Sequence, residues 1–147
     1  MEALLVTSPA FENNKPIPKK YTADGADINP PIEVNAIPKN AKSLALVVDD
    51  PDAPLRTWVH WIVWNIPPSK NKIGEGEIPG IQGSNSWRKS SYGGPNPPLG
   101  THRYFFKIYA LNTELNLDPG SAKKDLEKVM ENHIIAKGEL VGLYKKS

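Results

Sequence analysis

Three short segments of the chain carry the residue types that could bind or transform a ligand. The first, Asp49-Asp50-Pro51-Asp52-Ala53-Pro54, sets three carboxylates at the end of an apolar run, with two prolines fixing φ near −65° and limiting how the acids move. The second is His60 within Trp58-Val59-His60-Trp61-Ile62-Val63-Trp64. The third is Tyr92-Gly93-Gly94-Pro95-Asn96-Pro97-Pro98-Leu99-Gly100-Thr101-His102-Arg103-Tyr104, whose glycines permit positive φ and close backbone approach to a ligand. Imidazoles and a phenol donate hydrogen bonds to anion oxygens, and carboxylates orient imidazoles or receive an ammonium. Each segment also has a plain structural reading. The aspartates make an Asx-type turn, His60 is a hydrogen-bonded core residue, and the glycines serve a tight turn.

The surrounding pattern is β. Leu4 to Ser8 and Ile32 to Ala36 are short apolar or alternating runs. Ser43 to Val48 is continuously apolar, as expected of a strand covered on both faces. Thr57 to Ile66 is a long strand stopped by Pro67-Pro68; simple alternation puts Trp58, His60, Ile62 and Trp64 on one face and Val59, Trp61 and Val63 on the other. Arg103 to Leu111 and Ile134 to Tyr144 resume the strand pattern. His102 and Tyr104, two apart, face one side, and Arg103 faces the other, within reach of an Asp50 or Asp52 carboxylate. Residues 69 to 101 are rich in Gly, Pro, Ser and Asn and read mainly as loop, the kind of long segment that carries function in compact domains. Ser121 is the expected N-cap of one helix, with Leu126, Val129, Met130 and His133 on its apolar face. One late helix among strands joined by Pro-rich turns predicts a mainly β fold, an antiparallel β-sandwich with one clear helix near the C-terminus, formed by residues 1–147 as a single domain.

Composition narrows the function classes. The 147 residues contain no cysteine, which excludes thiol catalysis, zinc fingers and iron–sulfur clusters. Eighteen Lys plus Arg face sixteen Asp plus Glu, a net charge of +2, and the basic residues are dispersed, so no nucleic-acid partner is expected. The start, with Glu2 and an apolar run ending at Thr7, does not read as a secretory signal, and no stretch reaches the roughly 20 apolar residues of a membrane span. A cytoplasmic location is therefore expected, without integral membrane association. Fifteen Pro and eleven Gly beside 39% hydrophobic residues indicate a packed fold with rigid turns.

Asp50-Pro51-Asp52-Ala53-Pro54, then Trp58-Val59-His60-Trp61, then Gly93-Gly94-Pro95 through Gly100-Thr101-His102-Arg103-Tyr104 closely resemble the signature segments of the phosphatidylethanolamine-binding protein family. The likeness is to its compact bacterial and archaeal branch of Raf kinase inhibitor-like proteins. Ile17 to Thr22, Asp24-Gly25, Asn29-Pro30-Pro31 and Glu139 to Tyr144 extend it over nearly the whole chain. The resemblance implies a β-sandwich with a small anion pocket at one end, lined by Asp50, Asp52, Pro54, Trp58, His60, Gly94, Pro95, His102 and Tyr104. Backbone N–H groups of the Gly loop are expected to add donors, and Ala53–Pro54 is a candidate cis bond.

The implied ligand is a small phosphorylated or carboxylate anion, with phosphorylethanolamine-like lipid head groups included and no cofactor. Family members also inhibit serine proteases and kinases, so a protein partner engaged through loops such as residues 84 to 99 is the alternative. Animal members continue into a C-terminal helix near the pocket, whereas this sequence stops shortly after Tyr144, which argues against their mode of kinase regulation. A phosphoesterase using His and Asp, and a metal held by His and carboxylates, are further options, though no nucleophile elbow stands out.

Overall fold

The computed structural model describes residues 1–146. Among the described residues are ten strands, β1 (Glu2–Ala3), β2 (Leu5–Thr7), β3 (Lys15–Pro16), β4 (Ile32–Asn35), β5 (Ser43–Asp50), β6 (Trp58–Ile66), β7 (Lys72–Ile73), β8 (Ile81–Gln82), β9 (Thr101–Leu111) and β10 (Ile134–Lys145), with one α-helix, α1 (Lys123–Met130). A larger sheet runs β1-β10-β9-β5-β6-β8, with β3 also on β10, and a smaller one runs β2-β4-β7. Pairing is antiparallel except where β1 and β3 lie parallel to β10.

The long strands form because β-branched and aromatic residues suit a pleated surface covered on both sides. Every residue of β5 is buried. Its alternate residues feed two cores: Leu44, Leu46 and Val48 join Trp61, Tyr104, Phe106 and the smaller sheet's Ile32 and Val34, while Ala45 and Val47 join Ile62, Trp64, Leu126 and Met130 under α1. The predicted mainly β sandwich with one helix is the observed fold.

Strand β6 departs from simple alternation. Val48 pairs with Trp61 but Asp49 pairs with Val59, so two residues of β6 advance against one of β5. This β-bulge at His60 shifts the phase of the strand. Trp61 and Val63 therefore face the first core and Val59, Ile62 and Trp64 the second, while His60 packs against Tyr104 on the first-core side. Trp58 and His60 do not share a face with Ile62 and Trp64, contrary to the alternation read from sequence.

The helix begins one residue later than expected. Ala122 occupies the N-cap, its N–H donating to Asp125 Oδ2 at 3.1 Å, while Ser121 Oγ donates to the Asp118 carbonyl. His133 lies beyond the helix, and its Nδ1–H donates to Asn112 Oδ1 at 2.9 Å.

Candidate functional site

Asp49 and Asp50, adjacent on β5, point to opposite faces of the sheet and do different jobs. Asp49, 1% exposed, accepts from Lys107 Nζ at 3.1 Å and Lys123 Nζ at 2.9 Å, joining α1 to β9. Two ammonium partners make burial of this carboxylate tenable. Asp50 turns the other way and accepts from His102 Nδ1–H at 2.6 Å through Oδ2, while its Oδ1 accepts the Asp52 N–H at 2.8 Å.

That hydrogen bond fixes the His102 ring and leaves Nε2 as the nitrogen available to a ligand. His60 is held the same way by a different acceptor: Nδ1–H donates to the Gly93 carbonyl at 2.7 Å. The His102 and Tyr104 rings stack with centroids 6.4 Å apart, and His60 stands edge-on to Tyr104 at 5.2 Å and to Trp87 at 5.0 Å. Trp58 closes the set, edge-on to Trp87 at 5.5 Å. Burial holds the His60 imidazole below its ordinary pKa, opposed in part by the Gly93 carbonyl and the Asp50 carboxylate. Burial first, and then the nearby Asp50 charge, push the Tyr104 phenol well up, so it stays a neutral donor.

These side chains wall a cavity of about 320 Å³ at one end of the larger sheet. Of the residues named from the resemblance, Asp50, Pro54, Trp58, His60, His102 and Tyr104 line it, and Ala53, Trp87, Asn96, Pro97 and Pro98 complete it. Its walls contain no Lys or Arg. Two of its donors are unsatisfied: Trp58 Nε1 and Tyr104 Oη are buried and have no hydrogen-bond partner among the described residues.

Three of the implied lining residues sit elsewhere. Asp52 takes a bidentate ion pair with Arg103, Nε to Oδ2 at 2.9 Å and NH2 to Oδ1 at 2.8 Å, and also accepts the Arg103 backbone N–H at 2.9 Å. This guanidinium holds the Asp52 carboxyl down at a pKa of about 2. Gly94 lines a neighbouring cavity, and Pro95 is buried with its carbonyl accepting the Ala23 N–H. The glycine-loop amides are already engaged. Gly93 N–H donates to the His60 carbonyl at 3.0 Å and Gly94 N–H to Asp27 Oδ1 at 2.7 Å, so they do not supply the anion donors expected from sequence. No peptide bond among the described residues is cis, and Ala53–Pro54 is trans.

Trp87 escaped the sequence reading because it comes from a separate loop. The only signal was its place inside the Gly/Ser/Asn-rich segment between the two central motifs. Among the described residues no group of three or more His, Asp or Glu is arranged to hold a metal ion, and no helix is long and apolar enough to cross a membrane.

The phosphatidylethanolamine-binding protein family model matches residues 7–145. The chain belongs to the phosphatidylethanolamine-binding protein family. A UPF0098 protein of Pyrococcus abyssi is 51% identical over 155 residues, covering 99% of this chain and 87% of its own. A UPF0098 protein of Methanothermobacter thermautotrophicus is 45% identical, covering 93% and 95%. Among solved structures, a phosphatidylethanolamine-binding protein homolog from Chlamydia trachomatis superposes with a TM-score of 0.96 at 42% identity over the full length of both chains. Escherichia coli YbcL, a new member of the mammalian PEBP family, gives 0.90 at 26% identity, covering 98% of this chain and 99% of its own.

Proposed function

We propose that this member of the phosphatidylethanolamine-binding protein family is a non-enzymatic binding protein whose His60–His102 cavity takes a phosphate-like or carboxylate anion, including the phosphate of a lipid head group. The observation that carries the reading is the pair of buried, unpartnered donors, Trp58 Nε1 and Tyr104 Oη, on the walls of a cavity that also holds two histidines anchored through Nδ1. Buried polar groups are almost always satisfied; Trp64 Nε1, in the core under α1, is likewise without a partner among the described residues, and what sets Trp58 Nε1 and Tyr104 Oη apart is their place beside two anchored histidines, where a small shift of the walls gives an anion's oxygens access to them. No Lys or Arg lines the wall, although the Arg56 guanidinium stands 5.8 Å from the Trp58 ring; protonation of an imidazole adds positive charge inside the cavity, so affinity for phosphate rises as pH falls.

Calorimetric titration of inorganic phosphate into wild type and Tyr104→Phe tests this. Removing a neutral donor to a charged acceptor costs about tenfold in affinity. Because Tyr104 Oη has no hydrogen-bond partner among the described residues, the same change moves the melting temperature little. Unchanged phosphate affinity in Tyr104→Phe counts against the reading.

A second reading is favoured by one further observation. Leu55 and Leu99, each beside a proline that lines the cavity, are 106% and 85% exposed, a surface suited to a protein such as a serine protease or kinase. In that case Leu55→Glu/Leu99→Glu abolishes inhibition in a protease and kinase panel that the wild type inhibits; a wild type that inhibits none of them sinks it.

A further inference from the structure

The histidine cavity has a neighbour. A second cavity of about 360 Å³ lies over Gly93 and Gly94, and Trp87 and Asn96 are walls of both. Neighbouring groups press closely on both glycines. A Cβ on Gly93 would lie 2.4 Å from the Trp87 ring, and one on Gly94 would lie 2.6 Å from both Asp27 Oδ1 and the Tyr21 carbonyl oxygen. The wall is held by a buried amide: Asn85 Oδ1 accepts the backbone N–H groups of Trp87 at 2.9 Å and Lys89 at 3.1 Å, and its Nδ2 donates to the Ser91 carbonyl at 2.8 Å.

Two opposite charges line this cleft. Asp27, at φ 59°, spends Oδ1 on the Gly94 N–H; its Oδ2 has no hydrogen-bond partner among the described residues. The Lys89 ammonium likewise has none, and neither group belongs to an ion pair among the described residues. The exposed Asp27 carboxylate and the exposed Lys89 ammonium line one cavity without joining each other, beside the cavity proposed to take an anion.

We propose that the second cavity is the subsite for the α-amino-acid portion of a phosphorylated amino acid, its ammonium on Asp27 and its carboxylate on Lys89, with the phosphate among His60, His102 and Tyr104. This rests on the anion reading of the first cavity. A ligand carrying only one of the two charges leaves the other side chain unmatched, and an acyl chain would set apolar surface against polar walls.

Calorimetry with four probes tests it: O-phospho-L-serine, 3-phosphoglycerate (hydroxyl in place of the amine), phosphorylethanolamine (no carboxylate) and inorganic phosphate. The expected result for wild type is O-phosphoserine tighter than either analogue by about fivefold, the scale of one solvent-accessible ion pair. Asp27→Asn retains an acceptor for the Gly94 N–H and removes only the charge, so it abolishes the preference over 3-phosphoglycerate. Lys89→Met abolishes the preference over phosphorylethanolamine. Both variants keep the wild-type affinity for inorganic phosphate. Equal wild-type affinities for the three phosphate esters, or preferences that survive these substitutions, overturn the subsite while leaving the anion cavity intact. Failure of wild type to bind any of the four, inorganic phosphate included, overturns both.

Discussion

Asp52→Asn separates the part of the Asp-Pro-Asp-Ala-Pro segment that builds the fold from the part that faces the histidine cavity. In the native protein the Arg103 guanidinium lowers the Asp52 carboxyl from 3.8 to about 2. A depressed carboxylate pKa means that the unfolded chain binds the proton more readily. The stabilisation is therefore complete above the unfolded value near 4 and is lost as pH falls through 2. Taken at face value a shift of nearly 2 units is about 2.5 kcal/mol. Asp52 and Arg103 are 29% and 53% exposed, and solvent screening reduces this to about 1 kcal/mol. A screened contribution of that size is nearly gone at pH 2.5, where the linkage relation leaves roughly a tenth of it. Urea denaturation should thus show Asp52→Asn less stable than wild type by about 1 kcal/mol at pH 7 and by about 0.1 kcal/mol at pH 2.5. Phosphate titration of the same variant should match wild type within about twofold, since Asp52 does not line the histidine cavity. A stability difference that is the same at both pH values refutes the ion-pair account. A large loss of phosphate affinity, with the fold intact, refutes the placement of Asp52 outside the site.

His60 sets a pH dependence of the same sense in a higher range. Its folded pKa is lowered by burial, so the unfolded state gains the proton first and native stability falls as pH drops below about 6.5. His60→Asn should flatten the stability profile between pH 7 and 5 in denaturant titrations; an identical slope in both proteins counts against a buried neutral imidazole. Gly94→Ala places a Cβ 2.6 Å from Asp27 Oδ1 and the Tyr21 carbonyl oxygen and 2.9 Å from Thr22 Cα, overpacking worth about 1–3 kcal/mol. For a chain of this size that is a melting-temperature drop of roughly 3–10 °C by calorimetry, and no drop would show that the loop yields freely.

The long strands and the single helix were legible in the sequence because they follow from local pattern, while the cavity residues were implied by the resemblance of their motifs to the family. Hydrophobic runs bounded by proline mark β5, β6 and β9, and the i, i+2 spacing of His102 and Tyr104 puts both rings on one side of β9 in any register. The pairing of Arg103 with the aspartate cluster followed from the same alternation.

What local pattern could not supply was anything decided by pairing between distant segments. The bulge at His60 arises from the register of β6 on β5, and alternation within β6 has no way to announce an extra residue. The glycine-loop amides looked free because their acceptors, the His60 carbonyl and Asp27, lie 33 and 67 residues away. Trp87 and Asn96 became walls of two cavities only when the loops folded over Gly93 and Gly94. The amino-acid sequence by itself determined which side chains bring chemistry and which strands carry them. Tertiary structure alone decided which of their polar atoms remain free, because a hydrogen-bonding group spent on a partner far along the chain is no longer available to a ligand.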